Sequence, residues 1–304
     1  MTTPSADRKP AAKTVLFADN DPILVDAIPE LLRAKGYDVH VTQDGLETLH
    51  AIRRLKPNFV ILDIVMAKLD GSRVCWLIRQ DPDLRNTPII ALSALSPEQI
   101  RRFPELSADA YVAKGPLAVV TNHLLMALKY LEEHGRGGGD LDSGIFGYEG
   151  FQSRRLISEM LGLKRYWETL FRIFEHGILG LDEEGRILLA NPAASRLFDT
   201  KEARLIGEAL PTLLAPRDRR PIQRTLSELR KARLPEDRQV GVTVGEVPVR
   251  LRIANLVEDG TCAGLLVIAE AGASSGDGVV QRRPRRVLSR GDEHDPESPS
   301  QQAG

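Results

Sequence analysis

The chain has 304 residues, which is enough for two domains of ordinary size. Hydrophobic residues make up 42% and charged residues 27%, and the charges nearly cancel to a formal net charge of −1. This balance argues against a general nucleic-acid binder, which would carry a strongly basic domain. The two cysteines, Cys75 and Cys262, lie far apart in apolar stretches, so they are interpreted as small buried hydrophobic residues.

The first residues contain no targeting signal that we can identify. Residues 1–12 are polar and lack the apolar region of a secretory signal, so we expect a disordered leader. No run of the sequence approaches the ~18 apolar residues of a membrane-spanning helix. We therefore expect a cytoplasmic protein with no membrane contact.

Residues 13–134 alternate short apolar runs with amphipathic stretches. Runs rich in Val, Ile and Leu are typical of strands that are buried on both faces. The alternation predicts an α/β domain with a five-stranded, parallel, doubly wound sheet. The predicted strands are Val15–Ala18, Val39–Thr42, Phe59–Leu62, Ile89–Leu92 and Ala110–Val112, and the predicted helices are Ile23–Lys35, Leu46–Leu55, Ser72–Gln80, Glu98–Phe103 and Leu117–His134.

Two connecting segments follow. Residues 135–150 are rich in glycine and predict a flexible linker. An amphipathic helix is expected over residues 151–176, because apolar residues recur there at alternating spacings of 4 and 3. Such a stripe fits a dimer seam and equally a single helix packed on its own domain. The stripe consists of Leu156, Met160, Leu163, Trp167, Leu170 and Phe174.

Residues 177–270 have a different pattern, typical of an α+β domain with an antiparallel sheet and helices on one side. Gly177–Leu181 and Arg186–Ala190 predict a hairpin around the turn DEEG. Residues 271–304 are rich in Gly, Ser, Pro, Arg and Asp and predict a disordered tail. Between the hairpin and the tail, the sequence predicts a helix over Pro221–Ala232 and strands over Gln239–Val244, Val247–Ala254 and Gly264–Ala269.

Polar side chains follow four of the predicted parallel strands. Because the carboxyl ends of such strands meet at one edge of a sheet, we expect these side chains to converge. Carboxylates with one lysine suit a Mg²⁺ site that receives a phosphate, and a carboxylate can attack phosphorus. The residues are Asp19, Asn20 and Asp21 after the first strand, Asp63 after the third, Ser93 after the fourth and Lys114 after the fifth.

Residues 13–134 resemble the receiver domain of bacterial response regulators, which has a flavodoxin-like fold. The resemblance implies a signalling phosphoacceptor that a partner sensor histidine kinase phosphorylates. It also implies that the protein is not an enzyme, except that it catalyses at most the phosphorylation and dephosphorylation of its own acceptor. The segments that carry it are VLFADNDP (15–22), VILDIVMAKLDG (60–71), TPIIALSA (87–94) and ADAYVAKGP (108–116).

The resemblance also implies roles for individual residues. Asp63 is the phosphoacceptor, and Asp19 and the backbone carbonyl of Val65 help it to hold Mg²⁺. Lys114 pairs with the phosphoryl group, and Ser93 senses it.

Tyr111 matches the switch aromatic of the family, whose ring reorients when the residue at Ser93 moves. For Tyr111 an ordinary half-buried strand tyrosine remains the alternative.

The chain departs from the family pattern at Asn20, where a second acid is usual, at Ala67, where proline is usual, and at Gly115, which separates the lysine from the next proline. Asn20 can still offer an oxygen to the metal or to a metal-bound water, but it removes one negative charge.

Residues 168–270 resemble a PAS domain. The likeness is carried by LFRIFEHGILGLDEEGRILLANPAASRLFD (170–199), in which Asn191 opens a helix after the second strand. A PAS ligand is unknown from the sequence. The middle helices hold no cysteine for flavin chemistry, and no histidine that could bind haem lies between His176 and His294. We therefore expect protein association to be the role of this domain, with apolar ligand binding left open.

Three functional interpretations remain open. In the first, the protein is a two-component response regulator phosphorylated on Asp63, and the PAS-like domain is its output or sensing and association module. A homodimer would then form through the helix 151–176 and the PAS-like domain. In the second, which Asn20 motivates, a degenerate receiver scaffold serves a PAS-based ligand- or protein-binding module without phosphotransfer. In the third, the PAS-like domain docks on a kinase within a larger cascade. No DNA-binding segment is recognisable after the first domain, so no DNA partner is expected.

Overall fold

The computed structural model of the protein describes residues 12–102, 107–136, 144–148, 163 and 166–272. The N-terminal region folds around a parallel sheet with the strand order β2-β1-β3-β4-β5-β6. Its strands are β1 (Thr14–Ala18), β2 (Asp38–Thr42), β3 (Phe59–Asp63), β4 (Ile89–Ser93), β5 (Ala110–Ala113) and β6 (Ile145–Phe146). The predicted α/β class and the five parallel strands are confirmed, and a sixth strand is added at the edge.

Helices cover both faces of this sheet, which is why β3, β4 and β5 are buried along their whole length. The helices α1 (Pro22–Ala34) and α5 (Leu117–His134) pack on one face, and α2 (Gly45–Leu55) and α3 (Gly71–Gln80) pack on the other. The short helix α4 (Pro97–Arg102) contributes Ile100 to a smaller cluster beside β4 and β5.

Aspartates begin three of these helices. The side chains of Asp21, Asp44 and Asp70 accept hydrogen bonds from the first-turn N–H groups of α1, α2 and α3. Gly71 follows the last of these caps, and a Cβ there would lie 2.1 Å from the carbonyl oxygen of Asp63. The loop that follows Asp63 can therefore close against α3 only because residue 71 is glycine.

The sixth strand lies in the range that the composition predicts to be a flexible linker, residues 135–150. Within that range, residues 137–143 and 149–150 lie outside the described part of the chain. The described residues include β6, which runs parallel to β5 with Ile145 opposite Tyr111 and Phe146 opposite Val112. A two-residue strand in a glycine-rich segment leaves no periodic pattern in the sequence, so only the tertiary structure shows it.

The C-terminal region folds around an antiparallel sheet with the strand order β8-β7-β11-β10-β9, which confirms the α+β class predicted for it. Its strands are β7 (Gly177–Leu181), β8 (Ile187–Ala190), β9 (Asp237–Val244), β10 (Val247–Glu258) and β11 (Thr261–Ala271). Its helices are α6 (166–173), α7 (Pro192–Leu197), α8 (Glu202–Leu205), a 3₁₀ turn at Leu210–Leu213 and α9 (Pro216–Lys231). Helix α9 buries Ile222, Leu226 and Leu229 against the sheet.

The helix predicted over residues 151–176 is described only in part. Residues 151–162 and 164–165 lie outside the described residues, whereas residue 163 and residues 166–173 are helical. Residues 174–176 are not helical, because the chain turns there into β7. Asn191 holds this turn, since its Nδ2 donates to the carbonyl of His176 at 2.9 Å.

The C-terminal domain contacts the α2–α3 face of the parallel sheet. The guanidinium of Arg53 on α2 donates to the carbonyls of Ala203 at 2.6 Å and Ile206 at 3.3 Å. Arg73 on α3 forms an ion pair with Glu202 on α8. Apolar side chains of α2, α3 and the C-terminal domain belong to one buried cluster. Among the residues that the structure describes, no helix combines the length and the apolar character needed to cross a membrane.

Replacing Asn191 tests how the second domain is held together. Its buried Oδ1 accepts hydrogen bonds from the N–H of Ile178 at 2.9 Å and of Ala194 at 2.8 Å. We predict that Asn191→Ala lowers the free energy of unfolding by about 2–4 kcal/mol, because it removes a helix cap and leaves buried backbone groups unpaired. Urea unfolding followed by circular dichroism measures this change. The exposed Asn86→Ala variant is the control and should change by less than about 0.5 kcal/mol. Equal losses in the two variants would contradict the assignment.

Candidate functional site

Three charged side chains meet at the carboxyl edge of the parallel sheet. The ammonium of Lys114 lies 2.8 Å from Oδ2 of Asp63 and 3.0 Å from Oδ2 of Asp19. Asp19 is fully buried and Asp63 is 3% exposed. Each residue follows or ends a strand, so the topology of the sheet brings together residues that lie up to 95 positions apart.

Backbone groups orient the two carboxylates. Oδ1 of Asp19 accepts a hydrogen bond from the N–H of Asp21 at 2.9 Å, and Oδ1 of Asp63 accepts one from the N–H of Val65 at 3.2 Å. The N–H of Lys114 donates to the carbonyl of Ser93 at 2.9 Å, which continues the pairing of β4 and β5 beyond the strands. The carboxylates and the ammonium are thus held by short local bonds to fixed strand ends.

The charges of the site do not balance. Burial raises the pKa of Asp63 above its ordinary value, Lys114 opposes this shift and Asp19 adds to it. Burial lowers the pKa of Lys114, but the attraction of Asp63 and Asp19 outweighs it, so that the pKa is raised overall. When both carboxyl groups are ionised, two negative charges face one positive charge. A further cation would relieve this repulsion.

The oxygen donors fit Mg²⁺. Among the described residues, no three His, Cys, Asp or Glu side chains group into a metal site, so the acidic ligands would be Asp19 and Asp63 alone. Mg²⁺ is often bound by one or two carboxylates and keeps several of its waters. Asn20 and Val65 are exposed directly beside the two carboxylates. The Asn20 amide and the Val65 carbonyl are the further oxygens that these positions can supply.

The predicted sensing residue and switch residue lie beside this site, together with a third residue that sequence reasoning missed. Ser93 is 1% exposed, and its Oγ accepts a hydrogen bond from the N–H of Leu95 at 3.0 Å. Tyr111 is 3% exposed rather than half-buried, and its hydroxyl accepts from the N–H of Ala108 at 3.2 Å. Tyr148, from the predicted linker, packs against the same buried cluster as Tyr111. No signal in the sequence identifies Tyr148, because its position depends on the pairing of β6 with β5.

The departures from the usual receiver pattern leave these contacts in place. Lys114 reaches both carboxylates although Gly115 separates it from Pro116. A Cβ at residue 115 would meet nothing within 4 Å, so the glycine fills no tight space. The carbonyl of Ala67 accepts hydrogen bonds from the N–H groups of Gly45 and Leu69 at 3.2 and 2.8 Å, and these bonds fix the loop after Asp63.

Comparison with known families identifies both domains. Residues 15–123 match the response regulator receiver domain, and residues 175–271 match the PAS fold. The N-terminal region is a response regulator receiver domain. It is followed by a domain with the PAS fold.

The receiver domain is similar to those of several known proteins. It is 37% identical over 113 residues to the gliding motility regulatory protein of Myxococcus xanthus, covering 36% of this chain and 14% of that protein. It is 35% identical over 101 residues to the DNA-binding response regulator MtrA of Mycolicibacterium smegmatis, covering 33% of this chain and 43% of that protein. The chain therefore matches less than half the length of these relatives.

One similar solved structure is the receiver domain of a sensor histidine kinase from Pseudomonas aeruginosa PAO1, crystallised with a magnesium ion coordinated in its active site cleft. It is 26% identical, the match covers 40% of this chain and 97% of that chain, and the TM-score is 0.36.

A cleft of about 570 Å³ opens on the PAS domain between the end of α9 and the turns β7–β8 and β10–β11. Side chains of both charge signs line it, in contrast to the predominantly apolar lining of most small-molecule pockets. This cleft therefore does not suit an apolar ligand. Its lining includes Glu183, Glu184, Arg230, Lys231, Arg233 and Cys262.

Removing the shared cation tests the electrostatics of the receiver site. We predict that Lys114→Met lowers the free energy of unfolding by about 2–4 kcal/mol, because it leaves two buried carboxylates without a counter-charge. This loss is smaller than the loss expected on breaking a fully buried ion pair, because the Lys114 side chain is 25% exposed. Lys13→Met is the matched control, because the Lys13 side chain is 50% exposed in its ion pair with Glu132 and such pairs contribute less than about 1 kcal/mol. Chemical denaturation at neutral pH measures both. If Lys114→Met lowered the free energy of unfolding by no more than Lys13→Met, the shared role of the Lys114 ammonium would be contradicted.

Proposed function

We propose that the protein is a response regulator of a two-component phosphorelay, in which a partner sensor histidine kinase phosphorylates Asp63. The observation that carries the proposal is the pairing of Lys114 with both Asp63 and Asp19 in a buried site. The same arrangement offers a nucleophile, a counter-charge and oxygen ligands within one cluster. The protein then acts as a signalling phosphoacceptor and catalyses at most its own phosphorylation and dephosphorylation.

The chemistry follows from the atoms present. A carboxylate oxygen of Asp63 forms the new bond to phosphorus while the bond from phosphorus to the donor atom breaks, and the donor atom keeps that electron pair. The Lys114 ammonium stands 2.8 Å from the acceptor carboxylate and can pair with the arriving phosphoryl oxygens. The hydroxyl of Ser93 can donate a hydrogen bond to a further phosphoryl oxygen.

Asp19 and Asp63, with the Val65 carbonyl and the Asn20 amide, would hold Mg²⁺. When bound, the ion supplies positive charge that offsets the negative charge of the phosphoryl group. Asp19 stays paired with Lys114 and keeps the site rigid.

Exposed apolar side chains surround the entrance of this site. Ile23 at the start of α1 is 66% exposed, Val65 after Asp63 is 57% exposed and Val119 at the start of α5 is 43% exposed. All three follow the same sheet edge as Asp63. A kinase that delivers a phosphoryl group must approach this edge, and these side chains offer it an apolar contact surface.

The PAS domain would serve as an output or sensing module that associates with proteins. The described part of the connecting helix exposes apolar and aromatic side chains to solvent. Such exposure is unusual unless a partner covers them. The predicted stripe of apolar residues fits a second copy of this chain, whose own helix would pack against it. The exposed residues are Leu163, Tyr166, Trp167 and Ile173, together with Phe174 directly after the helix.

Phosphorylation can be measured directly. With Mg²⁺ and a small phosphodonor, intact mass spectrometry should show one added phosphoryl group in the wild type and none in Asp63→Asn. Asp26→Asn, which changes an exposed aspartate on α1, is the matched control and should be labelled like the wild type. Labelling should fall at acidic pH, because the reactive form of Asp63 is the carboxylate.

Two results would contradict the phosphoacceptor proposal: an unlabelled wild type, or equal labelling of Asp63→Asn. The first of these would favour the degenerate scaffold, in which the receiver domain supports a PAS-based binding module without phosphotransfer.

The dimer has a separate test. Sedimentation velocity of the full chain should show a dimer, and the double variant Trp167→Glu/Phe174→Glu should shift it to a monomer, because charges cannot be buried in an apolar seam without a large penalty. Val247→Glu alters an exposed apolar residue on β10 and should leave the dimer intact. A monomeric wild type, or a dimer that survives the double substitution, would reject this interface.

A further inference from the structure

The exposed side of α9 in the PAS domain carries a line of positive charge. The helix turns Ile222, Leu226 and Leu229 towards the sheet, so its opposite side faces solvent. Basic residues recur on that side at spacings of 3, 4 and 7, which places them one above another on the helix surface. The line is about 21 Å long, because each helical residue adds 1.5 Å. We name it the basic stripe, and it consists of the exposed residues Arg217, Arg220, Arg224 and Lys231.

The acids of α9 do not balance this charge. Residues 216–233 contain seven basic and two acidic side chains, although the whole chain has a formal net charge of −1. Asp218 turns inward, where its Oδ2 accepts a hydrogen bond from the N–H of Thr243 at 2.7 Å. Glu228 pairs with Arg224 at 2.9 Å and neutralises that one cation.

The remaining cations of the helix are open to a partner. Arg220 and Lys231 form no hydrogen bond or ion pair with any residue that the structure describes. Lys231 also lines the cleft at the end of α9, and the acids on the other wall of that cleft, Glu183 and Glu184, form no ion pair with it. The basic stripe therefore presents positive charge to whatever lies against this side of the PAS domain.

The chain leaves the described fold close to one end of the basic stripe. The N–H of Gly272 donates to the carbonyl of Pro248 at 3.0 Å, and Pro248 pairs with Thr243 on the neighbouring strand β9. The guanidinium of Arg217 donates to Oγ1 of Thr243 at 2.7 Å. Two strand spacings, about 10 Å, therefore separate Gly272 from the residue that Arg217 contacts.

The sequence after Gly272 contains a segment of complementary charge. Residues 292–297, which we name the acidic run, have the sequence DEHDPE and hold four carboxylates. The acidic run begins 20 residues beyond Gly272. A flexible chain of that length spans about 25 Å on average, which matches the length of the basic stripe. A tether is most effective when its average span equals the distance between the two sites that it joins.

We propose that the basic stripe binds the acidic run of the same chain, so that residues 292–297 lie along the exposed side of α9. Single ion pairs on a protein surface are weak, but several act together here and the tether raises the effective concentration of the acidic run to about the millimolar range. Arginine favours this use, because its planar guanidinium can bind a carboxylate through two hydrogen bonds. The contact covers the basic stripe against other polyanions and does not depend on phosphorylation of Asp63.

Five arginines between Arg282 and Arg290 constrain the arrangement. The basic stripe repels them, so only the acidic run can lie on α9. The same arginines compete for the acidic run, since they are close to it in the sequence. The helix has the advantage that its charges are already fixed in one line, so less conformational freedom is lost when it binds.

Cross-linking with a carbodiimide tests the contact, because this reagent joins a carboxylate to an amine only where the two groups touch. In the full chain at low salt, peptide mass spectrometry should find Lys231 joined to the acidic run. The yield should fall at least about fivefold at about 1 M salt, where the Debye length is about 3 Å. Lys35, exposed at the end of α1 in the receiver domain, is the internal control and should not be joined to the acidic run.

Two variants separate the charge of the basic stripe from the chemistry of the reagent. Arg220→Glu/Arg224→Glu keeps Lys231 but reverses the charge beside it, so the yield should fall at least about fivefold. Arg54→Glu/Arg85→Glu reverses the same amount of charge at exposed positions of the receiver domain and should leave the yield unchanged.

Mixing isotope-labelled and unlabelled protein identifies the source of the acidic run. Cross-links between residues of one isotopic form support binding within the same chain. Cross-links that join the two forms assign the acidic run to a second copy and overturn the proposal. It is also overturned if Lys231 is not joined to the acidic run, if Lys35 is joined to it equally, or if Arg220→Glu/Arg224→Glu leaves the yield unchanged. The basic stripe would then be left to a separate acidic partner.

Discussion

The receiver site depends on one cation shared by two buried carboxylates. Lys114 lies within 3.0 Å of both Asp19 and Asp63, and each partner ends or follows a different strand of the same sheet. The pairing fixes the geometry of the site but leaves it one positive charge short. Burial raises the pKa of Asp63, and the charge deficit makes the site receptive to a divalent cation. The same interaction therefore stabilises the fold and sets up the proposed chemistry.

Two other parts of the chain lie against the receiver domain, and they contact different surfaces. The PAS domain contacts α2 and α3, where Arg53 donates to the carbonyls of Ala203 and Ile206. The short strand β6, in the segment after α5, pairs with the edge of β5. Exposed side chains such as Val65 lie at the carboxyl edge, directly beside Asp63.

Much of the fold could be predicted from the sequence, because both sheets follow strong local patterns. Each core strand of the receiver domain is a short apolar run, and each predicted boundary lies within about two residues of the observed one. The acidic site could be predicted for a related reason, since residues after parallel strands must converge. β6 and Tyr148 could not be predicted. A two-residue strand has no period, and Tyr148 packs on the cluster around Tyr111 only because β6 pairs with β5.

The missing positive charge is the central claim of this account, and isothermal titration of Mg²⁺ into the full chain tests it most directly. The wild type should bind one Mg²⁺ in the millimolar range or tighter, Asp19→Asn should lose the binding, and Asn20→Asp should tighten it by about tenfold, which corresponds to ~1.4 kcal/mol for one added carboxylate. Absence of Mg²⁺ binding by the wild type, or binding that neither substitution changes, would contradict the account.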